Sequence, residues 1–393
     1  MPRDFYLFLA SRFASGTAMT LLRSAVAWHV FELSRSDSNL GLVGIVQFVP
    51  MLAFTLVGGA VADSYDRRRV INAAQLLMLA CGAMLLWSTR QGSDSLLVLY
   101  AVVAVSATAA AFEAPARSAL RPGLVPRERF PRAVTISSTN QALAFASGPA
   151  VGGLAIAKSG IAAAYALYVV LIAIAFATMF VLRRMQSGPP RGMSLTAVKA
   201  GLLFVWRQPV VLGCMSLDMF AVIFGGATAL LPIYATEILR AGPSGYGMLT
   251  SSFELGALAM SVVLMLRHPA QAAGRTLLFA VGAFGVFTIV FGLSRSFPLS
   301  VAAYMMAGMA DQVSVVMRST AVQLSTPDEL RGRVSAVNML FIGASNQLGA
   351  AESGFVAHLT SPTFTVVSGG VLCLVVVATI AWRLPELRRY RLA

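Results

Sequence analysis

Nine charged residues stand inside stretches that are otherwise apolar: Arg12, Arg23, Glu113, Arg117, Asp218, Glu254, Asp311, Arg318 and Glu352. A charge at the centre of a bilayer costs roughly 2.5–3.5 kcal/mol on insertion scales, so it needs a partner, a wet cavity or a ligand. The carboxylates can take up and release protons, and the guanidiniums can hold an anion. Arg12, Gly16, Met19 and Arg23 share one helical face, with the two arginines about 16 Å apart along it. Glu113 and Arg117 have the i,i+4 spacing of an ion pair within one helix. Asp311 and Arg318 share a face but lie about 10 Å apart, so each needs another partner or solvent. Asn338, Ser345 and Glu352 recur every seven residues as a narrow polar stripe. Arg12, Arg23, Asp218, Glu254, Asp311 and Glu352 are the expected substrate- or proton-coupling residues. Arg117 and Arg318 read first as anchors at helix ends. His29, beside Glu32, reads as a solvated or hydrogen-bonded histidine rather than a proton relay.

The elements that carry these charges are membrane helices. Apolar residues make up 57% of the chain and charged ones only 12%, about half the share of a soluble domain. Apolar runs of spanning length recur at 5–31, 40–62, 69–88, 96–118, 134–157, 161–182, 209–234, 245–266, 275–293, 297–317, 334–357 and 363–383. Strand-like alternation is absent, which argues against an outer-membrane barrel. Spans 3, 6, 9 and 12 hold no interior charge and read as the outer scaffold. Spans 1, 4, 7 and 10 read as the wall of a cavity.

The net charge of +14 does not point to nucleic acid. Alternate loops collect Arg67–Arg69, then Arg121, Arg127, Arg129 and Arg132, then Arg183, Arg184, Arg191, Lys199 and Arg207. The intervening loops hold only Arg35, Arg90, Lys158, Arg240 and Arg295. That is the positive-inside bias, and it predicts a multi-pass protein of the inner (plasma) membrane with both termini cytoplasmic. The first span, starting almost at Met1, reads as a retained helix rather than a signal peptide. Cys81, Cys214 and Cys373 lie apart within spans, so no disulfide framework or metal site is expected. No cofactor is expected, and the oligomeric state is expected to be monomeric.

The longest polar interruption is 183–208, where Ser187-Gly188-Pro189-Pro190 breaks helicity. Ser194 could then cap a short interfacial helix through Trp206. This linker separates an N-terminal bundle, 1–182, from a C-terminal bundle, 209–393. A shift of 201 residues superposes Arg117 on Arg318, Ser118 on Ser319, Pro126 on Pro327, Gly148 on Gly349 and Gly153 on Gly354. The fold class expected is an all-α membrane protein, twelve transmembrane helices in two pseudo-symmetric six-helix bundles. Span 5 contains Gly148-Pro149-Ala150-Val151-Gly152-Gly153, where small residues allow close approach and proline a bend. Span 7 offers a second bend at Gly225-Gly226 and Leu231-Pro232. No Walker loop, nucleophile elbow or paired catalytic acids are present, so neither an enzyme nor an ATP-driven pump is expected.

Gly59-x-x-x-Asp63 followed by Arg67-Arg68-Arg69 resembles the signature between helices 2 and 3 of the major facilitator superfamily. Gly148-Pro149-x-x-Gly152-Gly153 resembles that superfamily's antiporter signature. Ala114-Pro115-Ala116-Arg117, Leu217-Asp218-x-Phe220-Ala221 and Arg331-Gly332-Arg333-Val334-Ser335-Ala336-Val337-Asn338 are similar to the enterobactin-exporter-like branch of drug and siderophore efflux proteins. The sequence departs at Ser64, Asp66, Gln347 and Ala350 from the pattern of that family. The resemblance covers essentially the whole chain. It implies proton-coupled efflux of a small organic molecule, siderophore- or drug-like, by alternating access, with lipids and protons as the other partners. Gly59, Asp63, Arg67, Arg68, Glu113 and Arg117 would form a gate, with Asp63 capping helix 11 and Arg67 or Arg68 reaching Glu113. Arg12 and Arg23 would favour an anionic substrate. Import, movement of a lipid-like substrate, and a non-transporting receptor are the alternatives.

Overall fold

The computed structural model describes residues 2–126, 129–182, 202–266 and 272–390. Among these there is no strand. The long helices are α1 (Arg3–Ser34), α2 (Asp37–Ser64), α3 (Arg67–Arg90), α4 (Leu96–Leu120), α5 (Phe130–Ser159), α6 (Ile161–Val181), α7 (Pro209–Gly225), α8 (Gly242–Leu266), α9 (Ala273–Leu293), α10 (Phe297–Leu324), α11 (Asp328–Leu359) and α12 (Pro362–Arg383). A short α13 (Pro385–Arg389) ends the described chain. Their ends follow local chemistry. Asp66 caps α3 by accepting from the Arg68 amide at 3.0 Å, and Ser361 caps α12 by accepting from Phe364 at 3.1 Å. Gly160, at φ 78°, makes the tight corner between α5 and α6.

Among the described residues, eleven segments are long and apolar enough to cross a bilayer. The expected twelfth, α11, is not one of them. Asn338, Ser345, Asn346, Gln347, Glu352 and Ser353 dilute its apolar character. Span 7 is broken where Gly and Pro suggested a bend. α7 stops at Gly225, a 3₁₀ turn covers Thr228–Leu230, and a π turn covers Tyr234–Ile238. The Ser353 hydroxyl donates to the Gly226 carbonyl at 3.0 Å, satisfying a backbone group that the break frees.

The chain resolves into two compact units. The first comprises Met1–Arg35, Val46–Met193 and Gly242–Ser251. The second comprises Ser36–Ile45, Ser194–Ala241 and Ser252–Ala393. In the first, α1 packs on α5 and α6, and α3 on α4 and α6. In the second, α7 packs on α11 and α12, and α9 on α10 and α12. The two pairing schemes become the same when helices are counted six further on. The register agrees as well: α4 and α10 begin at Leu96 and Phe297, and α6 and α12 at Ile161 and Pro362, both 201 residues apart.

The repeated glycines do the same work in each unit. A Cβ on Gly148 would sit 2.6 Å from the Thr17 carbonyl of α1, and one on Gly349 would sit 2.8 Å from the Val222 carbonyl of α7. Within the first unit, Gly153 meets Gly247. Within the second, Gly354 meets Gly41. Small residues let helix backbones touch, which matters where lipid tails provide no hydrophobic drive between helices. α5 runs unbroken through Pro149.

Residues 183–201 of the linker, including the expected cap Ser194, lie outside the described residues. Residues 202–207 are helical, with Val205 buried in the second unit's core and Trp206 72% exposed.

Candidate functional site

In the first unit the charges converge through four helices. α4 holds Glu113 and Arg117 one turn apart, both buried, and they form an ion pair. Gln75 of α3 donates to Glu113 Oε1 at 3.1 Å, and its Nε2 lies 3.5 Å from Ser11 Oγ. Ser11 in turn donates to the Ala175 carbonyl of α6 at 2.9 Å. The carboxylate is therefore fixed between α1, α3, α4 and α6. Arg12 of α1 donates to Gln141 of α5 and lies within electrostatic reach of Arg117, Arg121 and Glu113. Arg121 follows α4 directly, at the negative end of that helix.

Arg67 and Arg68 do not reach Glu113. Arg67 donates to the Ala119 carbonyl at 3.1 Å. Arg68 donates to the Phe180 carbonyl at 3.2 Å and to the Leu182 carbonyl, and its guanidinium sits 6.0 Å from the Phe180 ring centre. Both arginines thus satisfy the last carbonyls of α4 and α6, where cations are favoured. Gln75 occupies the approach to Glu113 that was expected for them. Gly59 is buried, and its neighbour Gly58 lies against the Ala111–Phe112 backbone of α4. The Asp63 side chain lies outside the described residues.

The second unit pairs its charges differently. Asp218 of α7 and Arg318 of α10, 7% and 4% exposed, form an ion pair between two helices. Neither Arg117 nor Arg318 is an exposed anchor. Asp311, half-buried on α10, lies within electrostatic reach of Asp218, Arg318 and Glu254. Glu254 is half-buried on α8, and Glu352 accepts from Ser353 Oγ at 3.4 Å. Arg23 is exposed on α1. The structure thus joins Arg12, Glu113 and Arg117 in one unit, and Asp218, Asp311 and Glu254 in the other.

One constellation escaped the sequence. His29 is buried; its Nδ1 lies 2.8 Å from the Tyr165 hydroxyl and its Nε2 lies 3.4 Å from Asp94. Asp94 also accepts from Thr89 at 2.9 Å. The histidine ties α1 to α6 and to the α3–α4 connection. Glu32, its sequence neighbour, is not the acid it bonds.

The sequence matches the family described as transmembrane secretion effector over residues 5–392. Enterobactin exporter EntS of Escherichia coli O1:K1 / APEC is 27% identical over 396 residues, covering 98% of this chain and 92% of the relative. EntS of Escherichia fergusonii shows the same identity and coverage. Among solved structures, a POT family transporter in complex with a thioalcohol conjugated peptide superposes with a TM-score of 0.79 at 12% identity, covering 98% of this chain and 97% of that one. The nucleoside transporter NupG gives 0.74 at 13% identity, covering 99% of this chain and 100% of that one. Helix order, repeat register and these matches agree: the chain belongs to the transmembrane secretion effector family of the major facilitator superfamily, as a multi-span secondary transporter of a small molecule and not an enzyme.

Proposed function

We propose that the protein exports a small organic anion from the cytoplasm in exchange for protons. One observation carries this reading: the buried ion pair Asp218–Arg318 joins two different helices, with Asp311 and Glu254 close by. A carboxylate that bridges two helices couples its protonation to their separation. When the acid takes a proton the pair is lost and the two helices can separate, which biases the population between access states. That the relative EntS is an enterobactin exporter supports the outward direction and a siderophore-like substrate. Alternating access would move the bundles 1–182 and 209–393 about the 183–208 linker. Asp63, with Gly59 and the Arg67–Arg69 run, remains our candidate for the gate between access states. We place the protein in the inner membrane as a monomer with both termini cytoplasmic.

Everted membrane vesicles test this. Imposing an inward-acid gradient should drive accumulation of a catecholate such as 2,3-dihydroxybenzoate, and Asp218→Asn should lower that flux about tenfold or more. Flux in the opposite direction, or flux indifferent to the gradient, overturns proton-coupled export. Asp63→Asn should slow flux while leaving thermal stability in place; unchanged flux removes Asp63 from the gate.

A further inference from the structure

Among the described residues around Glu113, positive charge is in excess. Arg12 stands within electrostatic reach of both Arg117 and Arg121, and of the acid Glu113. That acid is already committed, paired with Arg117 and accepting from Gln75. Arg117 Nη1, Arg12 Nε and Arg121 Nε are buried, and among the described residues none of the three atoms has a hydrogen-bond partner. Arg117 itself is only 7% exposed. A buried polar group without a partner is costly, more so when charged. Arg117 and Arg121 are four residues apart at the end of α4, a spacing that puts them on one side of it. Burial holds the Arg121 guanidinium below its usual value, a cost that an adjacent anion would offset. Arg12 and Arg121 are half-buried, so neither is sealed inside the unit.

We propose that Arg12, Arg117 and Arg121 form an oxyanion-binding subsite that takes the carboxylate, phosphate, sulfate or catecholate group of the transported molecule. This rests on the reading that the substrate is an organic anion. Guanidiniums suit the role because their planar donors match oxyanions in a forked, charge-assisted geometry. Glu113 holds Arg117 in place rather than taking part in the binding, and Gln141 does the same for Arg12.

The test uses the purified full-length protein in phosphatidylcholine nanodiscs. Binding of 2,3-dihydroxybenzoate is compared with that of 2,3-dihydroxybenzamide, its uncharged counterpart, and sulfate is compared with chloride at equal ionic strength. The wild type should bind the benzoate and sulfate in preference to the amide and chloride. Arg121→Gln and Arg12→Gln should each weaken benzoate binding about tenfold, the order of one lost charge-assisted bond. Arg90→Gln, an equal loss of charge elsewhere, should not. Arg117→Lys keeps the pair with Glu113 but loses the fork, so it should weaken binding without unfolding the protein. Equal binding of benzoate and amide, or an Arg121→Gln variant that binds like wild type, overturns the subsite. Competition by added phosphatidylglycerol transfers the site to a lipid headgroup and overturns the substrate assignment. Cellular export is read separately. Export with benzoate binding unaffected by Arg121→Gln removes the subsite and leaves the transport reading intact. Binding lost in Arg121→Gln without any export does the reverse.

Discussion

Glu113 and Asp218 are both buried acids paired with arginine, yet they invite different outcomes when neutralised. Glu113 bonds three helices through Gln75 and Ser11 and pairs within its own helix. Glu113→Gln leaves Arg117 buried without its counter-charge, a change worth about 3–5 kcal/mol in buried pairs. Thermal unfolding of the purified protein should fall markedly, and the double variant Glu113→Gln/Arg117→Gln should recover much of the loss. A Glu113→Gln variant as stable as wild type contradicts the network. The intrahelical pair was legible from its i,i+4 spacing alone. The partners of Arg67 and Arg68 were not, because helix C-terminal carbonyls carry no sequence signature. His29 shows the same limit. Its acid, Asp94, lies 65 positions away, so only the fold could bring them together.

At the scale of elements, glycine placement governs how near the helices come. Gly148 sits where a Cβ would meet the Thr17 carbonyl and the Leu21 amide nitrogen of α1, both backbone atoms that cannot swing aside. Gly148→Ala should therefore cost about 1–3 kcal/mol by forcing α1 from α5. Gly282 of α9 has nothing within 4 Å of an added Cβ. Gly282→Ala should be neutral or stabilise by about 0.5–1 kcal/mol through helix propensity. Thermal melts of the two variants side by side check the contrast, and equal effects would deny that packing sets it. Twelve helical segments were readable from apolar length, since each buried backbone demands its own helix in lipid. α11 is the exception to a hydropathy criterion because its side chains are polar. The run 334–357 was read as a span by its length, and the stripe of Asn338, Ser345 and Glu352 marked the polar face that lowers its hydropathy. The Gly148–Gly153 motif announced a special helix. Its observed contacts are close packing against α1 and α8, contacts that depend on a facing helix.

The whole molecule is a repeat whose two copies have diverged in where they keep their acids. Arg117 and Arg318 are equivalent under the 201-residue shift, and both are buried and paired. In the second copy the acid comes from α7, at Asp218. The same shift places Asp218 on Thr17 of α1, while Glu113 falls on Ser314 of α10. Each arginine thus has two addresses from which an acid can reach it, one on its own helix and one on the first helix of its bundle, and each copy uses one. That makes a strong claim about geometry, because α1 must face α4 as α7 faces α10. It predicts a rescue. Glu113→Gln alone should lower the melting temperature, as argued above. Adding Thr17→Asp to that variant should restore part of the loss, on the order of 1–3 kcal/mol, by supplying Arg117 with an acid from the second address. Thr17→Asp in the wild-type background should instead destabilise, since Arg117 is already paired and a second buried acid would stand unmatched. The two effects of the same substitution, opposite in sign, form a double-mutant cycle readable from thermal unfolding. If Thr17→Asp destabilises equally in both backgrounds, the copies share a helix register but not the facing of their first and fourth helices.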